Sequence, residues 1–295
     1  MKYEIGSGTT FGYRKNNKRE NVKIISFIDK TIIEGGDIVV LFGQSGIGKS
    51  TILEGLGLME DTILEGSAIL TINGDKYDLE GLVFDKVKKK RLGNDEVCLP
   101  EQIRRKYYSY IFQEADVIEN LTCEQNIKMA NDFKLCEDNE NPAADIEERI
   151  KILAKDFGLL EFLDHTPGEI SGGQKQRVVF TRALLPHFEV LFADEPTGDI
   201  DEYLSDSMME KMADKITSDK SDKIAIIVSH KIDLSVKHAN KIIAITKNSE
   251  GTTKSKIIAE HIYQKDKVTE IWSNGKGKTI NNLQEVLRKL LKEGN

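Results

Sequence analysis

The sequence predicts an α/β fold built around a mostly parallel sheet. Three observations carry that expectation. Four short apolar, β-branched runs stand at 37–43 (DIVVLFG), 189–194 (EVLFAD), 223–229 (KIAIIVS) and 241–246 (KIIAIT). Their apolarity is continuous rather than alternating, as in strands covered on both faces. Helical patterns separate or follow them, which is how parallel strands are joined.

Along the chain, the N-terminal segment MKYEIGSGTTFGYRKNN has no apolar core of the kind a signal peptide needs. The loop GQSGIGKST (43–51) follows the first strand and leads into the helical run ILEGLGLM. The stretch 77–106 carries DKVKKKR and RRK and reads as a charged surface insertion. A solvated helix face explains it more simply than a phosphate- or lipid-contacting patch. YIFQEAD adds a short apolar strand ending at Gln113. From about 115 to 175 a helical lobe is expected, because DIEERIKILAKDFGLLEFL (145–163) has helical spacing and no strand-like run precedes it. In EISGGQKQR (169–177), two glycines stand where a helix starts. TINNLQEVLRKLL (279–291) places Ile280, Leu283, Val286, Leu287, Leu290 and Leu291 on one face, with Thr279 as the expected cap. The organisation is one domain over 1–250, containing the helical lobe (115–175) and the charged insertion (77–106), followed by a strand/helix extension at 251–295.

Bulk properties narrow the function classes. The 295 residues are 39% hydrophobic and 31% charged, enough for one large domain or two modest ones. A formal charge of −7 argues against a general nucleic-acid binder. The three cysteines (Cys98, Cys123, Cys136) have no CxxC spacing and read as free thiols in a reducing cytoplasm. No apolar run is long enough to span a bilayer.

The chemistry concentrates in a few places. In the loop Gly43, Gln44, Ser45, Gly46, Ile47, Gly48, Lys49, Ser50, Thr51, the glycines let the backbone wrap an anion at a helix N-terminus. Lys49 would then reach β- and γ-phosphates, and the Ser50 hydroxyl would ligate Mg²⁺. A chance GxxxxGK[ST] arises in roughly one chain in a hundred of this length, and the strand–loop–helix setting makes it rarer still. In VLFADEPTGDID (190–201), Asp194 ends a buried strand and suits Mg²⁺. Glu195 follows as the candidate general base for an attacking water. Gln113 offers a neutral amide to the metal or that water, and His230, ending IAIIVSH, would emerge at the same sheet edge beside the γ-phosphate. Either of the last two would be unremarkable alone; after a phosphate loop they gain weight.

With those residues in hand, the chain resembles the ATP-binding cassette (ABC) ATPases. The motifs fall in family order: phosphate loop 43–51, Q-loop Gln113, signature ISGGQ 170–174, Walker B with its glutamate 190–195, D-loop 198–201 and switch histidine His230. PTGDID, LTCEQNI and PGEISGGQKQR look most similar to the lipoprotein-releasing, macrolide-export and cell-division group. The resemblance implies a P-loop NTPase of the ABC type: a mostly parallel core sheet, an antiparallel β subdomain and an inserted helical lobe.

It further implies an Mg²⁺-dependent ATPase, with metal held by Ser50, Gln113 and Asp194 and catalysis by Glu195, His230 and Gln113. Family members pair head to tail, so Ser171, Gly172, Gly173 and Gln174 would meet ATP held by a second copy. Tyr13 is the candidate adenine platform and Phe11 the alternative. The implied partners are a second cassette and a separate transmembrane permease, with the chain cytoplasmic at the inner face of the membrane. The other reading is a soluble ABC ATPase with a regulatory or scaffold role. Gln44 and Ile47 depart from the usual loop residues, and their side chains are expected to point away from the phosphates. GDID departs from the usual D-loop. Glu114, Asp116 and Glu119 stand where relatives are often apolar, which implies an unusually basic or atypical partner helix.

Overall fold

Parallel neighbours need crossover connections, and here helices supply them. In the computed structural model, which describes residues 1–14, 21–80, 91–92, 100–132, 142–198, 200–218, 222–249 and 251–293, the four apolar runs form strands Ile38–Phe42, Val190–Asp194, Ile224–Val228 and Lys241–Ala244. A fifth strand, Tyr108–Ile111 (YSYI), overlaps YIFQ by only two residues, so Gln113 lies in the loop beyond the strand and does not end it as expected. Their order is Tyr108–Ile111, Val190–Asp194, Ile224–Val228, Ile38–Phe42, Lys241–Ala244, every pair parallel. Register brings Ile111 beside Ala193, Asp194 beside Val228, Val228 beside Leu41 and Ala244 beside Phe42. The chain therefore leaves all five strands along one edge, and the segments after four of them, all but Lys241–Ala244, line one site.

The continuous apolar runs split by period two. Ile38, Val40 and Phe42 face one core with Leu191, Ala193, Ala225 and Ile227; Val39 and Leu41 face the other with Val190, Phe192, Ile226 and Ile243. Both faces are covered, which is why these runs do not alternate in polarity. Each fully buried aliphatic or aromatic side chain contributes about 1.5–3 kcal/mol.

One face packs against two further sheets, one wholly antiparallel and one mostly so. The first runs Thr31–Glu34, Lys2–Ile5, Ala68–Ile72, Asp75–Asp78, Arg91–Leu92. The second contains Asn21–Phe27 paired with Thr10–Arg14, and a β-bulge at Phe11/Gly12 interrupts their register. Of the charged stretch 77–106, residues 81–90 and 93–99 lie outside the described residues, as do Cys98 and Cys136; Arg104–Lys106 belong to the helix Pro100–Tyr107.

The other face carries the helices Cys123–Asp132, Pro142–Asp156 and Gly172–Leu184, whose Ile127, Ile150, Val178 and Phe180 enter the core, as does Phe157 just past the second helix. Phe157 and Phe180 meet edge to face at 5.3 Å. The helix Pro142–Asp156 does not follow the helical spacing to its end at 163. It ends at Asp156, Gly158 takes φ +60°, and a 3₁₀ turn follows at Leu160–Phe162. The left-handed residue ends the helix despite the continuing apolar pattern.

The C-terminal segment extends the main sheet. Ile262–Lys265 pairs antiparallel with Lys241–Ala244, then Trp272–Asn274 and Thr279–Ile280 follow. Thr279 therefore sits in an edge strand and is not the helix cap. The helix is Leu283–Glu293, and Asn282 Oδ1 accepts from the Glu285 N–H at 3.1 Å. Leu283 and Leu287 are buried, and Ile280, Val286, Leu290 and Leu291 pack against the same core.

Candidate functional site

The phosphate loop bends between Phe42 and the helix Lys49–Leu56, with Gly46 at φ +71° and Gly48 at φ +111°. A Cβ on Gly48 would stand 2.9 Å from Ile24 Cγ2, so the turn needs glycine both for its backbone angle and for space. Lys49 folds back over the loop, donating to the carbonyls of Gly43 at 2.9 Å and Gln44 at 2.8 Å. Burial lowers its ammonium pKa, an effect partly opposed by Glu195 and Asp194. A phosphate anion at this place would favour the charged form.

Ser50 Oγ donates to Asp194 Oδ2 at 2.9 Å. The Asp194 carboxyl is pushed up, first by burial and then by Glu195, with the Ser50 hydrogen bond and Lys49 pulling it down. A half-buried carboxylate and a hydroxyl meeting at one point, with the Gln113 amide on the same cavity wall, form an oxygen donor set that suits a hard divalent cation. The residues fit Mg²⁺.

Glu195 is the next residue, with φ +48°, in the left-handed region rare for side chains of its size. Its N–H donates to the Val228 carbonyl at 3.0 Å, and its Oε1 lies 2.9 Å from His230 Nδ1. These groups line one cavity of 760 Å³ together with the loop glycines, Ser45, Thr51 and Gln113. Tyr13 lines it too, its hydroxyl 3.1 Å from Thr51 Oγ1 and donating to Glu54 Oε2 at 3.2 Å. Phe11 does not; it is fully buried against Phe27 at 5.7 Å.

Other expected residues stand elsewhere. Gln44 Nε2 donates to the Leu291 carbonyl at 2.8 Å, and Ile47 is buried, so both side chains leave the cavity. Ser171, Gly172, Gly173 and Gln174 are not on its wall. They form a capping box at the mouth of Gly172–Leu184: the Ser171 N–H donates to Gln174 Oε1 at 2.7 Å, and Ser171 Oγ accepts from the Gln174 N–H at 3.3 Å. Asp199 of the D-loop lies outside the described residues, while Asp201 accepts from the Leu204 N–H at 2.9 Å and caps the helix Glu202–Thr217.

Sequence reasoning missed Gln176, which lines the cavity and donates to the Pro196 carbonyl at 3.1 Å. Its signal was a polar residue on the helix's buried stripe with Phe180, Ala183 and Leu184.

Comparison with known proteins agrees with this architecture. The family model described as ABC transporter matches residues 29–198. The chain belongs to the ABC transporter family. It is 32% identical over 198 residues to the bacitracin export ATP-binding protein BceA of Halalkalibacterium halodurans, covering 67% of this chain and 68% of that protein. It is 35% identical over 178 residues to the macrolide export ATP-binding/permease protein MacB of Neisseria meningitidis serogroup B, covering 60% of this chain but only 24% of MacB. In fold it is similar to the dimeric post-hydrolysis ATP-binding cassette MJ0796 bound to ADP and Pi, with TM-score 0.64 and 24% identity over 82% of this chain and 93% of that one. The fold is therefore that of an ABC ATPase cassette, and the similarity to MacB agrees with the macrolide-export group that the motifs resemble.

Proposed function

We propose that the chain is an Mg²⁺-dependent ATPase that works as a head-to-tail homodimer and powers a separate transmembrane permease. One observation carries the ATPase reading: Lys49, Ser50, Asp194, Glu195 and His230 converge on one cavity at the strand ends. Lys49, released from its two loop carbonyls, would bind phosphate oxygens. Mg²⁺, held by Ser50 and Asp194 with Gln113 nearby, would neutralise phosphate charge. Glu195 would take a proton from water while His230 holds its carboxylate in place. A positioned base of this kind contributes about 10²–10⁴ in rate.

The dimer reading rests on the signature. Ser171, Gly172 and Gly173 sit at an exposed or half-exposed helix mouth off their own cavity, and such a mouth suits a phosphate brought by another copy. ATP shared across the contact would favour the closed pair through differential affinity.

The permease reading is supported by BceA, a relative named as an export ATP-binding protein, whereas MacB is named as an ATP-binding/permease protein of which this chain spans 24%. The chain would then sit in the cytoplasm at the inner face through its partner. The test is co-purification from detergent, together with sizing of the Glu195→Gln variant in saturating Mg-ATP. A polytopic membrane protein and an ATP-dependent dimer are expected. A soluble partner would favour a regulatory ATPase, and a strictly monomeric variant would remove the composite site.

A further inference from the structure

The turn that carries Glu195 is held at three successive residues by three different side chains. His230 meets the Glu195 carboxylate at 2.9 Å. Gln176, from the signature helix, donates to the Pro196 carbonyl at 3.1 Å. Lys231, next to His230 in sequence, sends its ammonium to the Thr197 carbonyl at 2.5 Å and to Ser205 Oγ at 3.3 Å. Lys231 is itself anchored: its N–H donates to Ser229 Oγ at 3.1 Å, and its carbonyl accepts from Ser235 Oγ at 2.7 Å.

We infer that Lys231 is a positioning residue for the hydrolytic step, fixing the turn that aims Glu195. The inference rests on the reading of Glu195 as the base. Glu195 occupies a left-handed backbone conformation at φ +48°. An L-residue holds that conformation only where its surroundings over-determine it. Pro196 and Thr197 are buried, so their carbonyls depend on protein donors. A charged donor makes the stronger bond, and Lys231 supplies one two residues beyond Glu195. His230 and Lys231 leave the same strand end, Val228, so they grip the turn as one unit. Lys231 does not line the cavity. It therefore acts through the turn and leaves nucleotide contacts to other residues.

The test compares Lys231→Met, Lys231→Arg and Glu195→Gln in the full chain, reading steady-state phosphate release and the affinity for a fluorescent ATP analogue. For Lys231→Met, kcat is expected to fall roughly tenfold or more, because a small misplacement of a reacting group is costly. KM and analogue affinity should stay within about twofold, since binding residues are untouched. Lys231→Arg, which keeps the charge and the reach, should recover most of kcat. Parent kcat in Lys231→Met overturns the inference. So does a loss confined to KM and affinity, or an equal loss in Lys231→Arg. Glu195→Gln separates the two levels: if it is inactive while Lys231→Met keeps the parent kcat, only the Lys231 role fails. If Glu195→Gln turns over at the parent rate, the assignment of the base fails and takes the inference with it.

Discussion

His230 Nδ1 lies 2.9 Å from Glu195 Oε1, and Glu195 holds its backbone at φ +48°. A left-handed L-residue costs about 1–2 kcal/mol, so the surrounding hydrogen bonds keep this side chain aimed. If Glu195 is the base, Glu195→Gln preserves shape but loses the proton acceptor. Turnover should fall by about 10²-fold or more, with nucleotide affinity unchanged. His230→Ala should lower turnover less, because the carboxylate remains but is freer to move. Phosphate release and fluorescent-nucleotide titration check both.

As the proposed Mg²⁺ ligand, Asp194 carries a stability cost in the ligand-free protein. Its carboxyl pKa is raised above 3.8, chiefly by burial, so at neutral pH the ionised form destabilises the ligand-free fold. The sign follows: this penalty is full above the raised folded value and disappears as pH falls through it towards 3.8. Asp194→Asn removes the charge and keeps the shape. The ligand-free variant should melt higher at pH 7, by about 1–2 °C, and the gain should shrink as the pH is lowered. Mg-ATP turnover should be lost. Thermal melts across pH with parallel phosphate release test the pair of effects.

Gly48→Ala should damage the phosphate loop from both directions. The residue sits at φ +111°, and the added methyl would meet Ile24 Cγ2 at 2.9 Å. Left-handed strain alone costs about 1–2 kcal/mol. Urea unfolding should show a loss of at least that size, accompanied by weakened nucleotide binding.

Ser171 is absent from the wall of its own chain's cavity, whereas Lys49 is on it. A head-to-tail dimer makes a specific demand of these two residues. Ser171→Arg and Lys49→Ala should each abolish turnover, and Ser171→Arg should still bind nucleotide. A mixture of the two variants rebuilds one intact site per heterodimer and should recover up to about a quarter of the parent rate, since half the pairs are mixed. No recovery on mixing would mean that the signature serves its own chain or none.

What was legible in the sequence was whatever is stated by side chains near one another in the chain. Four of the five core strands announced themselves because both faces are covered, leaving continuous apolar runs such as Ile38–Phe42. The phosphate loop was legible because its glycines and Lys49 lie within one turn. The strands Lys2–Ile5 and Asp75–Asp78 were not, since they alternate burial and carry charge on the open side. Gln176 and Lys231 escaped because each acts on a backbone carbonyl, Pro196 and Thr197, and an acceptor of that kind leaves no mark in a sequence. The helix break at Gly158 was hidden by leucines that keep helical spacing across it.

The C-terminal helix gives a last test, because its role is visible only in three dimensions. Leu287 is fully buried, and the strands before the helix add three antiparallel members to the main sheet. Leu291 also accepts the Gln44 side chain of the phosphate loop at 2.8 Å. If this segment is part of the same cooperative unit, Leu287→Ala should cost about 2–5 kcal/mol, the usual range for a buried leucine. The loss should appear in a single unfolding transition followed by circular dichroism and by Trp272 fluorescence. Two separated transitions would mean that residues 262–293 unfold on their own. Gln44→Ala should cost only about 0.5–1.5 kcal/mol, the net value of one hydrogen bond. A comparable loss in both variants would instead place most of the helix's contribution in its grip on the phosphate loop.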